Sequence, residues 1–371
     1  MQVIRIVIMI FSVLGALDRL FGNKFGLGKE FEKGFQLFAV MTGATLGILV
    51  IAPAFGYWLK PLLVHFYNIF HLEPSIIPAS MLANDMGGTS IALEVARDAR
   101  VGGFNAFVVS SMLGCMVSFT IPFAIGVVKP SQHKDLFFGL LCGISTVPVG
   151  CIVAGFVCGL GFLEILLDLF PLILFSALVC LGLVFIPKVC HRVFVFLGQF
   201  VRVLSTLGLI FGIFTFLTKM PIYAEFDTFE NAAFICVNSC VTLSGALPFM
   251  HVLTKVLEKP LSWFGSKIGI DSVSTAGFLS TLVSNAPTLS LMEKMNPKGV
   301  VLNSAFASSA ACAVGSHLAF TMAYDETYAL PMILGKFISG ISAVLLALLF
   351  HHKREKGSDR TDESLRKCES V

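Results

Sequence analysis

The stretch "SIIPASMLANDMGGTSIALEVARDA", residues 75–99, interrupts an apolar chain with two adjacent polar side chains, Asn84 and Asp85, followed by Gly87 and Gly88. Short arms without a break flank this centre on both sides. An arm of about nine residues rises about 14 Å as a helix, which is half of the hydrocarbon thickness of a bilayer. The stretch therefore predicts a re-entrant helical hairpin whose tip lies near the middle of a membrane.

The composition supports a lipid environment for the whole chain. Of its 371 residues, 56% are hydrophobic and only 13% are charged, whereas a soluble domain carries about 25% charged residues. One core cannot hide this apolar excess, so the fold class is predicted to be an all-α polytopic membrane protein. The net charge of +3 is spread along the chain without a basic, aromatic-rich stripe, which gives no basis for nucleic-acid binding.

Ten runs are apolar and long enough to be candidate membrane spans. They cover residues 2–17, 34–53, 56–72, 103–128, 135–160, 162–186, 192–217, 231–254, 299–322 and 330–351. The first run is interpreted as a retained span because no small-x-small cleavage site follows it. Residues 1–351 are predicted to form one transmembrane domain, and residues 352–371 a charged, disordered cytoplasmic tail.

Lysine and arginine in short loops favour the cytoplasmic side of a membrane. Basic loops on one predicted side contain Lys129 with Lys134, Lys188 with Arg192, and Lys255 with Lys259. The same side would hold the charged tail, so both termini are predicted to be cytoplasmic. The loop at residues 18–34 carries four basic residues and falls on the opposite predicted side, where they are not expected.

A second stretch repeats the form of the first. "SVSTAGFLSTLVSNAPTLSLMEKM", residues 272–295, has two arms around the break Asn285-Ala286-Pro287. Each hairpin is followed by a similar span, "NAFVVSSMLGCMVSFT" (residues 105–120) and "NSAFASSAACAVGSHLAFT" (residues 303–321). Both spans begin with Asn, place Phe and a Ser-Ser pair early, and end in Phe-Thr.

The two hairpin units therefore read as an internal repeat, residues 75–128 and residues 272–322. By the predicted spans, an odd number of crossings separates them, so the second unit is predicted to be inverted relative to the first. Inverted repeats with broken helices that meet at the midplane are typical of secondary transporters.

Asp85 is the strongest candidate for a ligand contact. A carboxylate at bilayer depth costs about 2.5–3.5 kcal/mol, so it needs a cation, hydrogen-bond donors or water beside it. The alternative is that Asp85 caps a half-helix that begins near Thr89. Asn84 and Asn285 occupy the two tips and offer donors and acceptors to a hydroxyl or ammonium group. Either amide could instead satisfy its own unwound backbone.

The remaining candidates lie on the hairpins and the spans that follow them. His317 is predicted to be a polar contact or proton carrier, because an imidazole in a span needs a partner; a helix–helix hydrogen bond is the alternative. Hydroxyl contacts are predicted from Thr288, Ser110 and Ser309, although small hydroxyl residues in spans more often serve packing. Backbone and hinge roles are predicted for Gly87, Gly88 and Pro287.

Enzymatic chemistry finds no support in the sequence. It contains no GxSxG, HExxH or GxxxxGK[ST] motif, so no catalytic residue is predicted. Cysteines lie singly in apolar runs, where cysteine behaves as a small hydrophobe, and neither a metal site nor a cofactor is expected.

Five segments together resemble the bacterial ethanolamine permease family, the EutH type. They are "GALDRLFGNKFGLGKEFEKGF" (15–35), "LANDMGG" (82–88), "GALP" (245–248), "NPKGVVLNSAFASSAACAVGSHLAF" (296–320) and "LPMILGKFISG" (330–340). The likeness covers nearly the whole chain. It implies a multi-pass inner-membrane protein that admits ethanolamine, with the family's hairpin acid at Asp85 and its second-hairpin asparagine at Asn285.

Two positions depart from the family pattern. The family's Gly-Asp-His triplet is Gly315-Ser316-His317 here, and its Asn-x-Pro-Met-Phe tip is residues 285–289 with the sequence NAPTL. The resemblance predicts a permease for ethanolamine or a related small amine, whose ammonium group lies near Asp85. One alternative is a carrier or passive channel for another small polar solute such as a nucleoside. A membrane scaffold or a membrane-embedded enzyme is a weaker alternative. The expected partners are the substrate, the lipid bilayer and possible further copies of the chain.

Overall fold

A computed structural model of the chain describes residues 2–70 and 72–369. Side chains are described up to Phe350, apart from those of Val40, Ala44, Val64 and residues 66–71. The side chains of the predicted tail therefore lie outside the described residues, and its disorder stays a prediction.

Helices and their connections make up the whole described chain, which contains no β-strand. The α-helices are α1 (Gln2–Leu20), α2 (Leu27–Met41), α3 (Gly47–Phe70), α4 (Ile76–Met81), α5 (Gly88–Val95), α6 (Ala99–Phe104), α7 (Ile121–Val127), α8 (His133–Val157), α9 (Phe162–Phe185), α10 (Pro187–Thr218), α11 (Phe229–Ile268), α12 (Ser272–Val283), α13 (Asn285–Leu291), α14 (Pro297–Ala310), α15 (Ser316–Tyr324) and α16 (Ala329–Glu369). The predicted all-α fold class is confirmed for these residues.

Two pairs of α-helices are joined without a break by π-helical turns. Thr42–Leu46 joins α2 to α3, and Asn105–Gly114 with Met116–Thr120 joins α6 to α7. The separate spans predicted at 34–53 and 56–72 are therefore wrong, because one helical path runs through both. Pro53 and Pro61 both lie inside α3.

Six of the described helical segments have the length and hydropathy needed to cross a bilayer. They are Ala99–Val127, Pro130–Val157, Phe162–Phe185, Pro187–Thr218, Phe229–Ile268 and Glu326–Phe350. One face of α9 shows the lipid-facing pattern, since its large apolar side chains are more than half exposed at three- and four-residue spacing. These are Leu163, Leu167, Phe170, Leu174, Leu178, Leu181 and Phe185.

The bundle has two ends, named here by their charged contacts. The acidic end holds the ion pairs Arg5–Glu326 and Arg100–Glu164. The basic end holds the ion pair Lys129–Glu293 and Lys255, whose Nζ donates to the Phe25 carbonyl oxygen at 3.4 Å. The loop at residues 18–34 therefore lies with the other lysine-rich loops, which removes its conflict with the orientation rule.

The first described helix begins at one end of the bundle, and the apolar part of the last described helix finishes at the other. Arg5, in the first turns of α1, lies at the acidic end. Ala347, near the end of the apolar part of α16, packs in one cluster with Ile270 and Val301 at the basic end. The start of α1 and the end of the apolar part of α16 therefore lie at different ends of the bundle, whereas the side of the membrane on which each terminus lies stays a prediction.

Two helix–break–helix segments fold back on themselves, at opposite ends of the bundle. The Glu73 carboxylate, before α4, accepts the backbone N–H of Arg97, after α5, at 2.8 Å. The Asp271 carboxylate, before α12, accepts the backbone N–H of Asn296, after α13, at 2.6 Å. Each carboxylate thus fastens the base of a hairpin, in the two stretches where the sequence predicts one.

Candidate functional site

A cavity of about 840 Å³ lies between both hairpin tips and the broken segment that links α14 to α15. Its inner wall includes Asp85 from the first tip, Asn285 from the second tip and His317 from α15. The cavity continues along α2, α11 and α12 toward the basic end, where charged side chains line it. These are Glu30, Lys33, Lys255 and Glu258.

Asp85 lies at the first tip, where it lines the cavity. It lies in a short 3₁₀ turn, Asn84–Met86, and its side chain is 17% exposed. The N-cap residue of α5 is Gly87, and no side chain caps this helix, which argues against the alternative capping role of Asp85. Its Oδ1 lies 3.8 Å from Nε2 of His317.

The backbone around Asp85 favours a negative charge. The α5 helix begins at Gly88, three residues after Asp85, and α15 begins at Ser316, on the cavity wall. A helix N-terminus stabilises a nearby anion by about 0.3–1 kcal/mol at exposed sites and by up to about 2 kcal/mol in partly buried ones. The two half-helices therefore lower the cost of an ionised Asp85 in the low-dielectric interior.

Both tip asparagines hydrogen-bond across the repeat. Nδ2 of Asn285, on the second hairpin, donates to Oγ1 of Thr120 in the first unit at 2.8 Å. Nδ2 of Asn84, on the first hairpin, donates to Oγ1 of Thr321 in the second unit at 3.4 Å. Each tip is thus held by the Phe-Thr end of the other unit's span.

Two further pairs of matching residues share one spacing in the sequence. Glu73 and Asp271, which fasten the hairpin bases, are 198 positions apart, and so are Asn105 and Asn303 in the spans that follow. Nδ2 of Asn105 donates to Ser75 Oγ at 3.0 Å, and Nδ2 of Asn303 donates to the Ser274 carbonyl oxygen at 2.9 Å. The repeat that the sequence suggests is therefore a repeat of contacts as well.

Four predicted contact residues do not line the cavity as defined by its wall residues. Asn84 is fully buried against the second unit, as described above. Thr288 Oγ1 donates to the Gly277 carbonyl oxygen at 3.0 Å inside the second hairpin. Ser110 donates to the Ala106 carbonyl oxygen of its own helix. Ser309 is buried near the end of α14, and its hydroxyl has no hydrogen-bond partner among the described residues. Hydrogen bonds within the bundle therefore account for Asn84, Thr288 and Ser110 but not for Ser309.

The predicted hinge residues have clear steric roles. Gly87 has φ +94°, which is a left-handed conformation that favours glycine. A Cβ on Gly88 would lie 2.3 Å from the Leu82 carbonyl oxygen, so only glycine lets the two arms approach this closely. Pro287 lines the cavity at the second tip.

Lys336 is the polar residue that the sequence analysis missed. It is fully buried on α16, and its Nζ donates to backbone carbonyl oxygens of Ser111 at 2.6 Å, Ala311 at 2.7 Å and Ser309 at 3.3 Å. A single lysine within the apolar run 330–351 was the available signal, since an ionisable residue inside a span is a functional-site hypothesis by default.

The arrangement is suited to binding and not to metal chemistry. Among the described residues, no group of three or more His, Cys, Asp or Glu side chains could hold a metal ion. The cavity instead combines one carboxylate, a neighbouring imidazole and an amide with apolar walls from α2, α11 and α12. A carboxylate beside hydrogen-bonding and apolar side chains can hold a small organic cation.

The family model described as "Ethanolamine utilisation protein, EutH" matches residues 1–350. The chain belongs to this EutH family. A relative named probable ethanolamine permease EutH, from Listeria monocytogenes serotype 1/2a (strain 10403S), is 36% identical over 97% of both chains. A relative of the same name from Escherichia coli (strain K12) is 32% identical over 97% of this chain and 98% of its own length. No solved structure matches the chain.

The EutH assignment confirms the resemblance drawn from the five sequence segments. Another relative, an uncharacterized protein named YxeR from Bacillus subtilis (strain 168), is 32% identical over 91% of both chains. The cavity and both tips lie within residues 1–350, the range that the EutH family model matches.

Proposed function

We propose that this chain is a membrane permease that moves ethanolamine across the cytoplasmic membrane. The main support for the proposal is the cavity between both hairpin tips. In it the Asp85 carboxylate, which does not cap α5, lies next to His317. EutH relatives named as probable ethanolamine permeases support the substrate. Ethanolamine is a cation at neutral pH, and its ammonium group would form a charge-assisted hydrogen bond with Asp85.

Ser316 stands where the EutH family has an aspartate, so the alcohol group of the substrate would contact neutral side chains. Ser316 and His317 both line the cavity, so a hydroxyl and an imidazole are available for the alcohol of ethanolamine. Asn285 provides an amide at the opposite tip, although its Nδ2 already donates to Thr120. In this assignment its carbonyl oxygen is the atom available to the ammonium group.

The two helix–break–helix segments are proposed to be re-entrant hairpins of an inverted repeat. Their bases lie at opposite ends of the bundle, near Glu73 and Asp271, and both tips reach the cavity. Antiparallel units with broken helices at a central site are the arrangement of many secondary transporters. Residues 1–351 would then form one transport domain.

The basic end is proposed to face the cytoplasm, because short cytoplasmic loops are rich in lysine and arginine. The cavity extends to that end, so the described conformation would be open inward. Phe107 stacks on Tyr328 and packs edge-on against Tyr324, and this aromatic cluster would close the path toward the acidic end. The charged tail, residues 352–371, would be cytoplasmic, and the start of α1 would lie on the outer face.

Transport by purified protein in liposomes tests the proposal directly. Vesicles containing the protein should take up labelled ethanolamine saturably and exchange it against unlabelled ethanolamine when no gradient is present. An excess of uridine should not compete. Exchange would establish a carrier; uptake that never saturates would indicate a channel, and competition by uridine would favour the nucleoside alternative.

A further inference from the structure

We propose that the Lys336 ammonium group occupies a monovalent-cation position built into the broken α14–α15 span, so that transport by this chain needs no dissolved Na⁺. The inference deepens the proposed function, because it concerns what drives or balances transport through the same site. It rests on the fully buried Lys336 and on the three carbonyl oxygens that surround its Nζ.

The break between α14 and α15 leaves backbone groups without helical partners. The N–H groups of Cys312 and Val314 are satisfied by the second hairpin, since they donate to the carbonyl oxygens of Thr281 and Leu282, each at 2.9 Å. These acceptors belong to the last turn of α12, whose own carbonyl groups would otherwise be orphans. The break is therefore docked against the second hairpin tip by backbone hydrogen bonds.

Two carbonyl oxygens at the same break, those of Ser309 and Ala311, accept hydrogen bonds from Lys336. Ser309 and Ala311 lie at the C-terminal end of α14, where the helix dipole is negative. Ser111 adds a third carbonyl oxygen from the π-helical part of the first unit. Unwound carbonyl groups and half-helix C-termini are the groups that coordinate Na⁺ in transporters with broken helices.

No carboxylate among the described residues lies within 4.0 Å of the Lys336 Nζ. A buried charge must be compensated, and here the three carbonyl oxygens and the dipole of α14 provide compensation together with the more distant Asp85 carboxylate, which attracts the ammonium group electrostatically. The ammonium group therefore stands where a dissolved cation would bind, and it is tethered to α16. Because Ser111 belongs to the first unit and Ala311 to the second, the tethered cation also links the two halves of the repeat.

The experiment compares thermal unfolding of the purified protein and two variants in NaCl, LiCl and KCl at constant ionic strength. Wild-type protein should unfold at the same temperature in all three salts. Lys336→Ala opens space beside the carbonyl groups, so it should unfold at a lower temperature and be stabilised saturably by Na⁺ or Li⁺. Between a sodium concentration near the dissociation constant and one about 100-fold higher, the unfolding temperature should rise by roughly 4 °C.

Lys336→Met is the matched variant, because methionine fills the space without supplying a charge. It should be destabilised like Lys336→Ala but should not respond to Na⁺. The exposed Lys188→Ala variant controls for general salt effects. Saturable Na⁺ stabilisation of the wild type, or a folded Lys336→Ala that ignores Na⁺, would overturn the inference.

If Lys336→Ala cannot be produced, transport by the wild-type protein tests the inference. Ethanolamine uptake into liposomes should be equal with an inward Na⁺ gradient and with K⁺ in its place. A clear Na⁺ requirement for uptake would contradict the inference while leaving the proposed function intact. The unfolding temperatures in the three salts are measured on purified protein and do not depend on transport. The two proposals therefore fail by different observations.

Discussion

Replacing Asp85 by asparagine should weaken ethanolamine binding strongly while leaving the fold intact. The substitution keeps the size of the side chain and removes its charge. Asp85 has no capping bond to α5; its nearest titratable neighbour is the imidazole of His317 at 3.8 Å, and Ser316 hydrogen-bonds to its carboxylate. Asparagine can keep the hydrogen bond with Ser316, and removing a partly buried charge relieves desolvation, so the unfolding temperature should not fall.

The magnitude follows from the position of the carboxylate. Two unit charges 4 Å apart interact by about 1 kcal/mol in water and about 4 kcal/mol near a protein surface. Asp85 is 17% exposed in a cavity open to solvent, so its attraction to an ammonium group is closer to the value near a protein surface than to the value in water. A hydrogen bond to a charged group contributes about 1.5–3 kcal/mol net, which corresponds to roughly a 10- to 150-fold increase in the dissociation constant.

Binding of labelled ethanolamine to the purified protein measures this change, and uptake into liposomes should show a similar loss. Asp85→Glu should bind with an intermediate affinity, because it restores the charge at a displaced position. The exposed loop variant Glu225→Gln removes an acidic residue far from the cavity and should bind like the wild type. If Asp85→Asn binds ethanolamine with unchanged affinity, the carboxylate does not contact the substrate and the reasoning fails.

Three further predictions concern the hairpins. Single substitutions Asn285→Ala and Thr120→Val should each lower stability by about 1 kcal/mol, and the double variant should lose less than the sum, because one 2.8 Å hydrogen bond joins the two side chains; additive losses in thermal unfolding would refute the contact. Gly315→Ala should destabilise by more than 1 kcal/mol, since its Cβ would lie 1.9 Å from a carbonyl oxygen of α12, whereas Gly126→Ala, with nothing within 4 Å, should be neutral or slightly stabilising; equal unfolding temperatures would contradict this. Burial of Asp271 favours its neutral form, but hydrogen bonds from backbone N–H groups outweigh burial and hold its pKa below the ordinary value of 3.8, so its stabilisation of the hairpin base is complete above about pH 5 and is lost as the pH falls through the folded-state pKa. Amide exchange at the base of the second hairpin should therefore accelerate below about pH 4 in the wild type and stay flat with pH, relative to the intrinsic rate, in Asp271→Asn.

The sequence alone was sufficient for the membrane class, the family and the two hairpins. Hydropathy over about 20 residues reports the solvent of a span directly, and a polar tip between two short arms is a local pattern. Asn84 and Asn285 were recognised as matching tips because the residues around them repeat in order. The chemistry of Asp85 could also be judged locally, since a carboxylate in an apolar stretch needs compensation wherever it lies.

Only the tertiary structure decided which polar groups meet. Thr120 and Thr321 lie far from the tips in sequence, yet each holds the tip of the other unit, and a one-dimensional pattern does not specify such crossed contacts. Thr288 and Ser110 were predicted to contact the substrate because they are hydroxyl residues in the hairpin units. Their hydroxyl groups instead donate to backbone carbonyl oxygens. The partners of Lys336 could be identified only from the tertiary structure, because the break after α14 places backbone carbonyl groups beside its ammonium group. Hydropathy is a property of each segment, whereas hydrogen-bond partners are set by how segments pack, and packing is decided by the whole chain.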